Sequence, residues 1–183
     1  GGFQFTNDLV ISLGIPYEEA DKAKVAQGHA IPDEVEPDEM VEVRGYNEEL
    51  PHMVRARDIS RILNDRTDEL LRLILIKVKE SGLRVIPPAG VVFTGGGANL
   101  RGLEELARDM FPGPVRIAQP KDILGLPEEL KSPTYSTSIG ILLWGIHHPT
   151  EQIAYRGTNG NGSNGKGRRW LHWLAQFIGA ARN

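Results

Sequence analysis

The sequence predicts an α/β fold, followed by a flexible linker and an amphipathic helix at the C-terminal end. The fold class rests on one run of the chain, where an apolar strand at 90–94 leads into three glycines, a helix and a second strand at 115–118. This order is typical of parallel strands joined by a right-handed crossover. Of the 183 residues, 40% are hydrophobic and none is Cys, which excludes a disordered chain, thiol catalysis and thiolate metal sites.

Two short helices are predicted before the first strand. Residues 6–15 and 17–27 have helical spacing of apolar side chains. Thr6 or Asn7 has the side chain expected of an N-cap for the first helix, and Gly28 ends the second.

The middle of the chain contains its longest predicted helix. Residues 31–54 are acidic and contain three prolines, so they predict only one short strand, at 40–44. Residues 57–81 place apolar side chains on one stripe and charges opposite, as in a helix that packs by one face. Further helices are predicted at 100–111 and at 135–146, the last of them packed against the sheet.

The last fifth of the chain differs from the rest in charge and composition. Residues 1–149 carry 16 Lys and Arg against 23 Asp and Glu, whereas residues 150–183 carry five basic residues and one acid. Gly, Asn and Ser make up most of residues 155–167, which show no apolar pattern. A segment of that kind behaves as a flexible tether, with a reach of roughly 20 Å.

The residues after the tether have the pattern of an amphipathic helix. Large apolar side chains recur every three or four residues, behind a basic start. The segment is too short to span a bilayer, so it would fold on a membrane interface or in a protein groove. Its basic residues and the tether favour an anionic membrane. The residues predicted to bind it are Lys166, Arg168, Arg169, Trp170, Leu171, Trp173, Leu174, Phe177 and Ile178.

The three glycines after the predicted strand suit a phosphate or nucleotide cradle. Without Cβ atoms, Gly95, Gly96 and Gly97 let a ligand approach the backbone, and a helix start follows. The surrounding residues match neither a P-loop nor a dinucleotide fingerprint. A structural turn without a ligand explains the glycines equally well.

A second polar feature lies on the helix predicted at 17–27. Asp21 and Lys24 are three residues apart, so they share one face of the helix. An ordinary surface ion pair is the alternative explanation of this spacing. No His, Asp or Glu constellation with metal-ligand spacing is found, so no metal site is predicted.

Several runs of the chain resemble one protein family in the same order. VVFTGGGANLRGLEELA, PVRIA and PTYSTSIGILLWG resemble the C-terminal half of the FtsA family, in the superfamily of actin and heat-shock-chaperone ATPases. GGFQFTNDLVISLGIPYEEADKAKVAQGHA looks like the stretch after the family's second phosphate loop. The resemblance implies the second lobe of an actin-like, ribonuclease H-like fold. Its inner subdomain would be 1–30 with 90–150, its outer subdomain 31–89, its linker 151–167 and its membrane-targeting helix 168–183.

The resemblance also implies an ATP site. The TGGG turn is the superfamily's adenosine motif, and the family's acid and lysine imply ribose and adenine contacts. Asp stands here where the family usually has Glu. The family's phosphate loops, which supply most of the contacts to Mg²⁺, would lie before the first residue of this chain. We therefore expect the chain to be a fragment that does not hydrolyse ATP by itself. The residues assigned to the nucleotide are Gly95, Gly96, Gly97, Ala98, Asn99, Asp21 and Lys24.

A cell-division adaptor is the function that the resemblance implies. The family's outer subdomain binds the acidic C-terminal peptide of the tubulin-like protein FtsZ, and arginine binds carboxylates bidentately. Arg66 is the first candidate for this contact, followed by Arg57 and Arg61, although intrahelical Asp and Glu partners are the alternative.

The other implied partners are further copies of the protein in a filament and an anionic membrane surface, with no nucleic acid. The implied location is peripheral, on the cytoplasmic face of the cell membrane at the septum. Two alternatives stay open at this point: a pilus-assembly or chaperone-like ATPase of the same superfamily with a membrane tail, and a peripheral membrane protein whose glycine turn binds no nucleotide.

Overall fold

The computed structural model describes residues 1–46, 50–82 and 88–148. Within that part of the chain, no helix is long and apolar enough to cross a membrane. The predicted linker and membrane-binding helix lie outside the described residues. The helices and strands in chain order are α1 Gly2–Leu13, α2 Tyr17–Gln27, β1 Met40–Val43, β2 His52–Arg55, α3 Ala56–Glu80, β3 Val91–Phe93, α4 Leu103–Met110, β4 Val115–Ile117 and α5 Ser136–His147.

The strands form two separate pairs. β1 and β2 are antiparallel, with Met40 opposite Arg55. β3 and β4 are parallel, with Val91 opposite Val115, and α4 makes the connection between them. A parallel pair joined by a helix confirms the α/β class that the glycine-containing run predicts.

The structure adds one strand to the predicted elements and moves the start of the first helix. The acidic, proline-containing segment forms a second strand, β2, because its alternating side chains pair with β1 and half-bury Val54. The first helix begins at Gly2, so Thr6 lies inside it and caps nothing. The buried hydroxyl of Thr6 has partners of its own, which explains why a residue typical of caps occurs within a helix.

The larger hydrophobic core lies where α1, α2, β1 and the first half of α3 meet. Phe5 and Leu9 of α1 pack with Ile59 and Leu63 of α3, and all four side chains are almost fully buried. α2 adds only small side chains to this core, because its buried residues are alanines. The cluster therefore fixes α1 against α3.

A smaller core forms around the parallel strands. Leu71, from the second half of α3, packs with Ala107, Phe111 and Val115. The rings of Phe93 and Phe111 meet edge to face, with centroids 5.6 Å apart. α3 therefore takes part in both cores and links them.

α5 differs from the packing predicted for it. None of its residues is buried, and Ile141, Leu142 and Trp144 are exposed apolar side chains. Its inner face borders a cavity of about 760 Å³, opposite the loop that follows β4. α5 carries apolar side chains around most of its circumference. Whichever face packs against the protein, apolar side chains on the opposite face therefore stay exposed.

We expect Leu63→Ala to lower the free energy of unfolding by about 3 kcal/mol, because it leaves a cavity in the larger core. Leu73→Ala on the same helix is the matched control, since Leu73 is 49% exposed. Its effect should stay within about 0.5 kcal/mol. Urea unfolding followed by circular dichroism measures both, and equal losses would contradict the assignment of the core.

Candidate functional site

The glycine turn follows directly on β3 and has a backbone that requires glycine. Gly95 has φ +89° and ψ 167°, a conformation that other residues rarely adopt. Its amide donates a hydrogen bond to the carbonyl oxygen of Pro133, 3.0 Å away. The next four residues, Gly96–Asn99, form one 3-10 turn. The turn is thus held in place from the segment that precedes α5.

The protein itself leaves room beside the next two glycines. A Cβ atom on Gly96 would meet nothing closer than the Thr134 hydroxyl, at 3.6 Å. A Cβ atom on Gly97 would lie 3.4 Å from the backbone nitrogen of Gly2. The backbone of Gly97 therefore faces the start of α1, whereas that of Gly96 faces Thr134, and at Gly96 the packing of the protein does not require glycine.

The two residues after the glycines are engaged within the protein. Ala98 is only 9% exposed. The Asn99 amide donates to the hydroxyl of Thr134, at 3.0 Å, and to that of Ser132, at 3.4 Å. These bonds give Asn99 a structural part in the turn, and the nucleotide contacts predicted for it and for Ala98 stay predictions.

Asp21 and Lys24 form an ion pair around a buried threonine. The Lys24 ammonium lies 2.5 Å from Asp21 Oδ1 and 2.6 Å from the hydroxyl of Thr6. The Thr6 hydroxyl in turn lies 2.9 Å from the same Asp21 oxygen. The spacing-based prediction that Asp21 and Lys24 share a face of α2 is therefore correct.

The charge of Asp21 is stabilised by these contacts. The hydrogen bond from Lys24 lowers the pKa of Asp21, the bond from Thr6 lowers it further, and partial burial opposes both. Asp21 therefore stays ionised at neutral pH, and a carboxylate is an acceptor suited to hydroxyl groups.

Gly2 is where the two predicted parts of the site come together. Its carbonyl oxygen lies 3.4 Å from the Lys24 ammonium, and its nitrogen is the atom nearest to the position that a Cβ atom on Gly97 would take. The site thus combines the glycine turn, the start of α1 and the polar face of α2. Sequence reasoning missed Gly2 and took Thr6 for a cap, because a pattern within one helix does not show which other helix lies beside it.

Arg66 is bound within the protein by carboxylates from two directions. Its Nη2 donates to Asp8 Oδ1 at 2.8 Å, its Nε donates to the other oxygen of Asp8, and its Nη1 donates to Glu69 Oε2 at 2.5 Å. The bond with Asp8 raises the pKa of Arg66. Because Asp8 is on α1, the pair joins α1 to α3.

The other arginines proposed for partner binding also have partners of their own. Arg57 donates to the carbonyl oxygen of Val35, and Arg61 pairs with Asp58. Arg61 has an intrahelical partner, as Arg66 has in Glu69, whereas the contacts of Arg57 with Val35 and of Arg66 with Asp8 reach other segments. Their binding of a partner peptide stays a prediction. The membrane-binding residues of the tail lie outside the described part of the chain.

Comparison with known proteins identifies the family of this chain. The sequence profile of "Cell division protein FtsA" matches residues 1–140. The chain belongs to the FtsA family. This match decides against the pilus-assembly and chaperone-like alternatives.

Curated relatives named cell division protein FtsA agree with the family match. The one from Pseudomonas aeruginosa is 30% identical over 153 residues, and the match covers 84% of this chain and 37% of the relative. The one from Agrobacterium fabrum is 32% identical over 180 residues, covering 93% and 41%. The Escherichia coli K12 protein is 33% identical over 147 residues, covering 76% and 35%. This FtsA chain thus spans between about a third and two fifths of the length of these relatives.

Solved structures confirm the actin-like fold. MreB5 of Spiroplasma citri bound to ADP superposes with a TM-score of 0.55 at 20% identity, covering 83% of this chain and 46% of that one. The form bound to AMPPNP gives 0.50 at 18% identity, covering 79% and 46%. At this identity the likeness concerns the fold alone.

The described residues contain no group of three or more His, Asp or Glu side chains placed to hold a metal ion. The polar groups gathered at Gly2 include one carboxylate, that of Asp21. What the arrangement offers a ligand is therefore bare backbone and a carboxylate that accepts hydrogen bonds from hydroxyl groups.

Removing the ion pair between Asp8 and Arg66 should lower the free energy of unfolding by about 1 kcal/mol, because both side chains are at most a third exposed and the contact is bidentate. Asp8→Asn, Arg66→Ala and the double variant form a double-mutant cycle, measured by urea unfolding. Additive effects of the two single substitutions would show that the pair contributes nothing.

Proposed function

We propose that this FtsA chain is the adenosine-binding lobe of an adaptor that links the FtsZ ring to the cytoplasmic face of the cell membrane at the septum. One observation supports nucleotide binding: the glycine turn, the first residues of α1 and the ionised Asp21 lie close together around Gly2. Family membership supports the role in cell division.

The residues present fit the adenosine side of ATP. Gly96 and Gly97 offer backbone without Cβ atoms, and Asp21 offers an acceptor for a ribose hydroxyl. The phosphate loops of the superfamily have no counterpart in the sequence. We therefore expect the chain alone to bind adenosine weakly and to hydrolyse no ATP.

The arginines of α3 support binding of an acidic peptide. Arg66 is 31% exposed and its partner Glu69 is 55% exposed, so a carboxylate of the peptide could replace that of Glu69 without disturbing Asp8. Exchange of one carboxylate for another conserves the charge-assisted hydrogen bonds of the guanidinium. The FtsZ tail thus requires no rearrangement between α1 and α3.

The sequence of the tail supports a reversible membrane tether. Its three basic residues near anionic lipid contribute roughly 3 kcal/mol, and partial burial of five large side chains roughly 6 to 10 kcal/mol before the cost of ordering. One such anchor binds reversibly. Several copies in a filament would bind firmly, which suits attachment of a polymer.

Gly96→Ala should abolish adenosine binding while leaving the fold intact. The added methyl group meets only ordinary contacts in the protein, yet it occupies the surface that we assign to the ligand. Two-dimensional NMR of the ¹⁵N-labelled chain titrated with adenosine measures the binding, and the dispersion of the spectrum reports folding.

Gly140→Ala is the matched control, because its Cβ atom has nothing within 4 Å and α5 lies beyond the site. It should bind adenosine as the parent does. A Gly96→Ala variant that binds as tightly as the parent would remove the glycine turn from the site.

Arg66→Ala should weaken binding of a synthetic FtsZ C-terminal peptide about tenfold, the effect of losing one charge-assisted contact. Asp8→Asn breaks the same ion pair but keeps the guanidinium, so it should bind the peptide at least as well as the parent. Fluorescence anisotropy of the labelled peptide measures this. Equal losses in both variants would show that the effect is structural.

Tryptophan emission tests the tether. The chain has three tryptophans, and a version ending at Gly167 keeps only Trp144. We expect anionic vesicles to shift the emission of the full chain to the blue, less so at high salt, with no shift in the truncated version. No shift with either anionic or neutral vesicles would mean that the tail binds protein.

A further inference from the structure

Three side chains form a connected set of hydrogen bonds beside the glycine turn. The Asn99 amide donates to the hydroxyl oxygen of Thr134 at 3.0 Å and to that of Ser132 at 3.4 Å. The backbone amide of Thr134 also donates to the Ser132 oxygen, at 3.4 Å, and the two hydroxyl oxygens are 3.3 Å apart. The amide of Gly95 binds the carbonyl oxygen of Pro133, so the turn itself holds these hydroxyls in place.

The direction of each hydroxyl proton follows from the number of lone pairs. A hydroxyl oxygen accepts through two lone pairs and has one proton to donate. The Ser132 oxygen already accepts from two N–H groups, so it donates its proton to Thr134. The Thr134 oxygen then accepts from Asn99 and from Ser132, which fills both of its lone pairs. Among the residues that the structure describes, no acceptor is left for the proton of Thr134.

This proton lies beside the open backbone of Gly96. Thr134 is exposed, and its hydroxyl oxygen and methyl carbon are the atoms nearest to the Cβ position of Gly96, at 3.6 and 3.8 Å. A flat group that rests on the backbone of Gly96 would therefore lie within reach of the Thr134 hydroxyl. Thr134 thus offers such a group a hydrogen-bond donor.

The surroundings of Thr134 suit an uncharged acceptor. The groups that hold its hydroxyl are an amide and a second hydroxyl, neither of which is charged. Lys131, the nearest cation along the chain, pairs with Glu128. A phosphate binds most strongly to charged donors, whereas a neutral donor suits the ring nitrogen of a base.

We propose that Thr134 recognises the base of the nucleoside by donating its hydroxyl proton to a ring nitrogen. Ser132 and Asn99 are positioning residues, which keep that proton directed away from themselves and toward the ligand. The inference rests on the proposed adenosine site. It adds a donor to a site in which Asp21 is the acceptor, and it gives Asn99 a part that acts through Thr134 instead of through contact with the base.

NMR titration of the full chain with adenosine and with its 1-deaza, 3-deaza and 7-deaza analogues tests this assignment. Each analogue replaces one ring nitrogen by a C–H group, which accepts no hydrogen bond. One of the three should bind the parent about fivefold more weakly than adenosine, because it leaves the Thr134 proton without an acceptor. Thr134→Val has the same shape without the hydroxyl, so it should bind adenosine and that analogue equally.

Two further variants separate recognition from folding. Thr134→Ser keeps the hydroxyl and should keep the preference for adenosine over that analogue. Asn99→Asp should remove the preference although Thr134 is present, because a carboxylate only accepts and would take the Thr134 proton itself. Chemical denaturation measures the folding of each variant, and a merely structural role of Thr134 would weaken adenosine and all three analogues together.

The remaining outcomes are equally distinct. Equal binding of adenosine and all three analogues by the parent, or a preference that Thr134→Val retains, would overturn the inference while the adenosine site stands. If adenosine monophosphate bound more tightly than adenosine and Thr134→Val abolished the difference, the hydroxyl would serve a phosphate, and the inference would be wrong. A parent chain that binds no nucleoside would overturn the proposed site and the inference with it.

Discussion

The position of α1 between α2 and α3 is the constraint on which the rest of the described structure depends. Phe5 and Leu9 bury one side of α1 in the larger core, and Asp8 pairs with Arg66 on α3. Thr6 joins the same helix to the polar face of α2. Because these contacts fix the helix on several sides, its first residues are held beside the glycine turn, where they complete the site.

α3 connects the two regions for which we propose a function. Its first half packs with α1, and its second half packs through Leu71 with the parallel strands that carry the glycine turn. Arg66 lies between these halves and is bound from α1. The ion pair with Asp8 thus joins the middle of α3 to the helix whose first residues lie beside the glycine turn.

Much of the fold could be predicted from the sequence, because local patterns determine it. The run from β3 to β4 shows apolar strands around three glycines, and α3 shows its single apolar stripe. β2 was not predicted from the sequence because it forms only by pairing with β1. Thr6 was misjudged for a similar reason: its buried hydroxyl is satisfied by α2, fifteen and eighteen residues away. Contacts of this kind depend on packing that no local pattern records.

The measurement that tests the account most directly is the isotope-filtered nuclear Overhauser effect between adenosine and the ¹⁵N,¹³C-labelled chain. The account predicts contacts from the bound nucleoside to Gly96, Gly97 and Asp21, on both sides of the start of α1. Contacts confined to the cavity beside α5, lined by Ile139 and Leu143, would contradict it. In that case the glycine turn would be a structural feature, and the polar cluster around Thr6 would serve only to join α1 to α2.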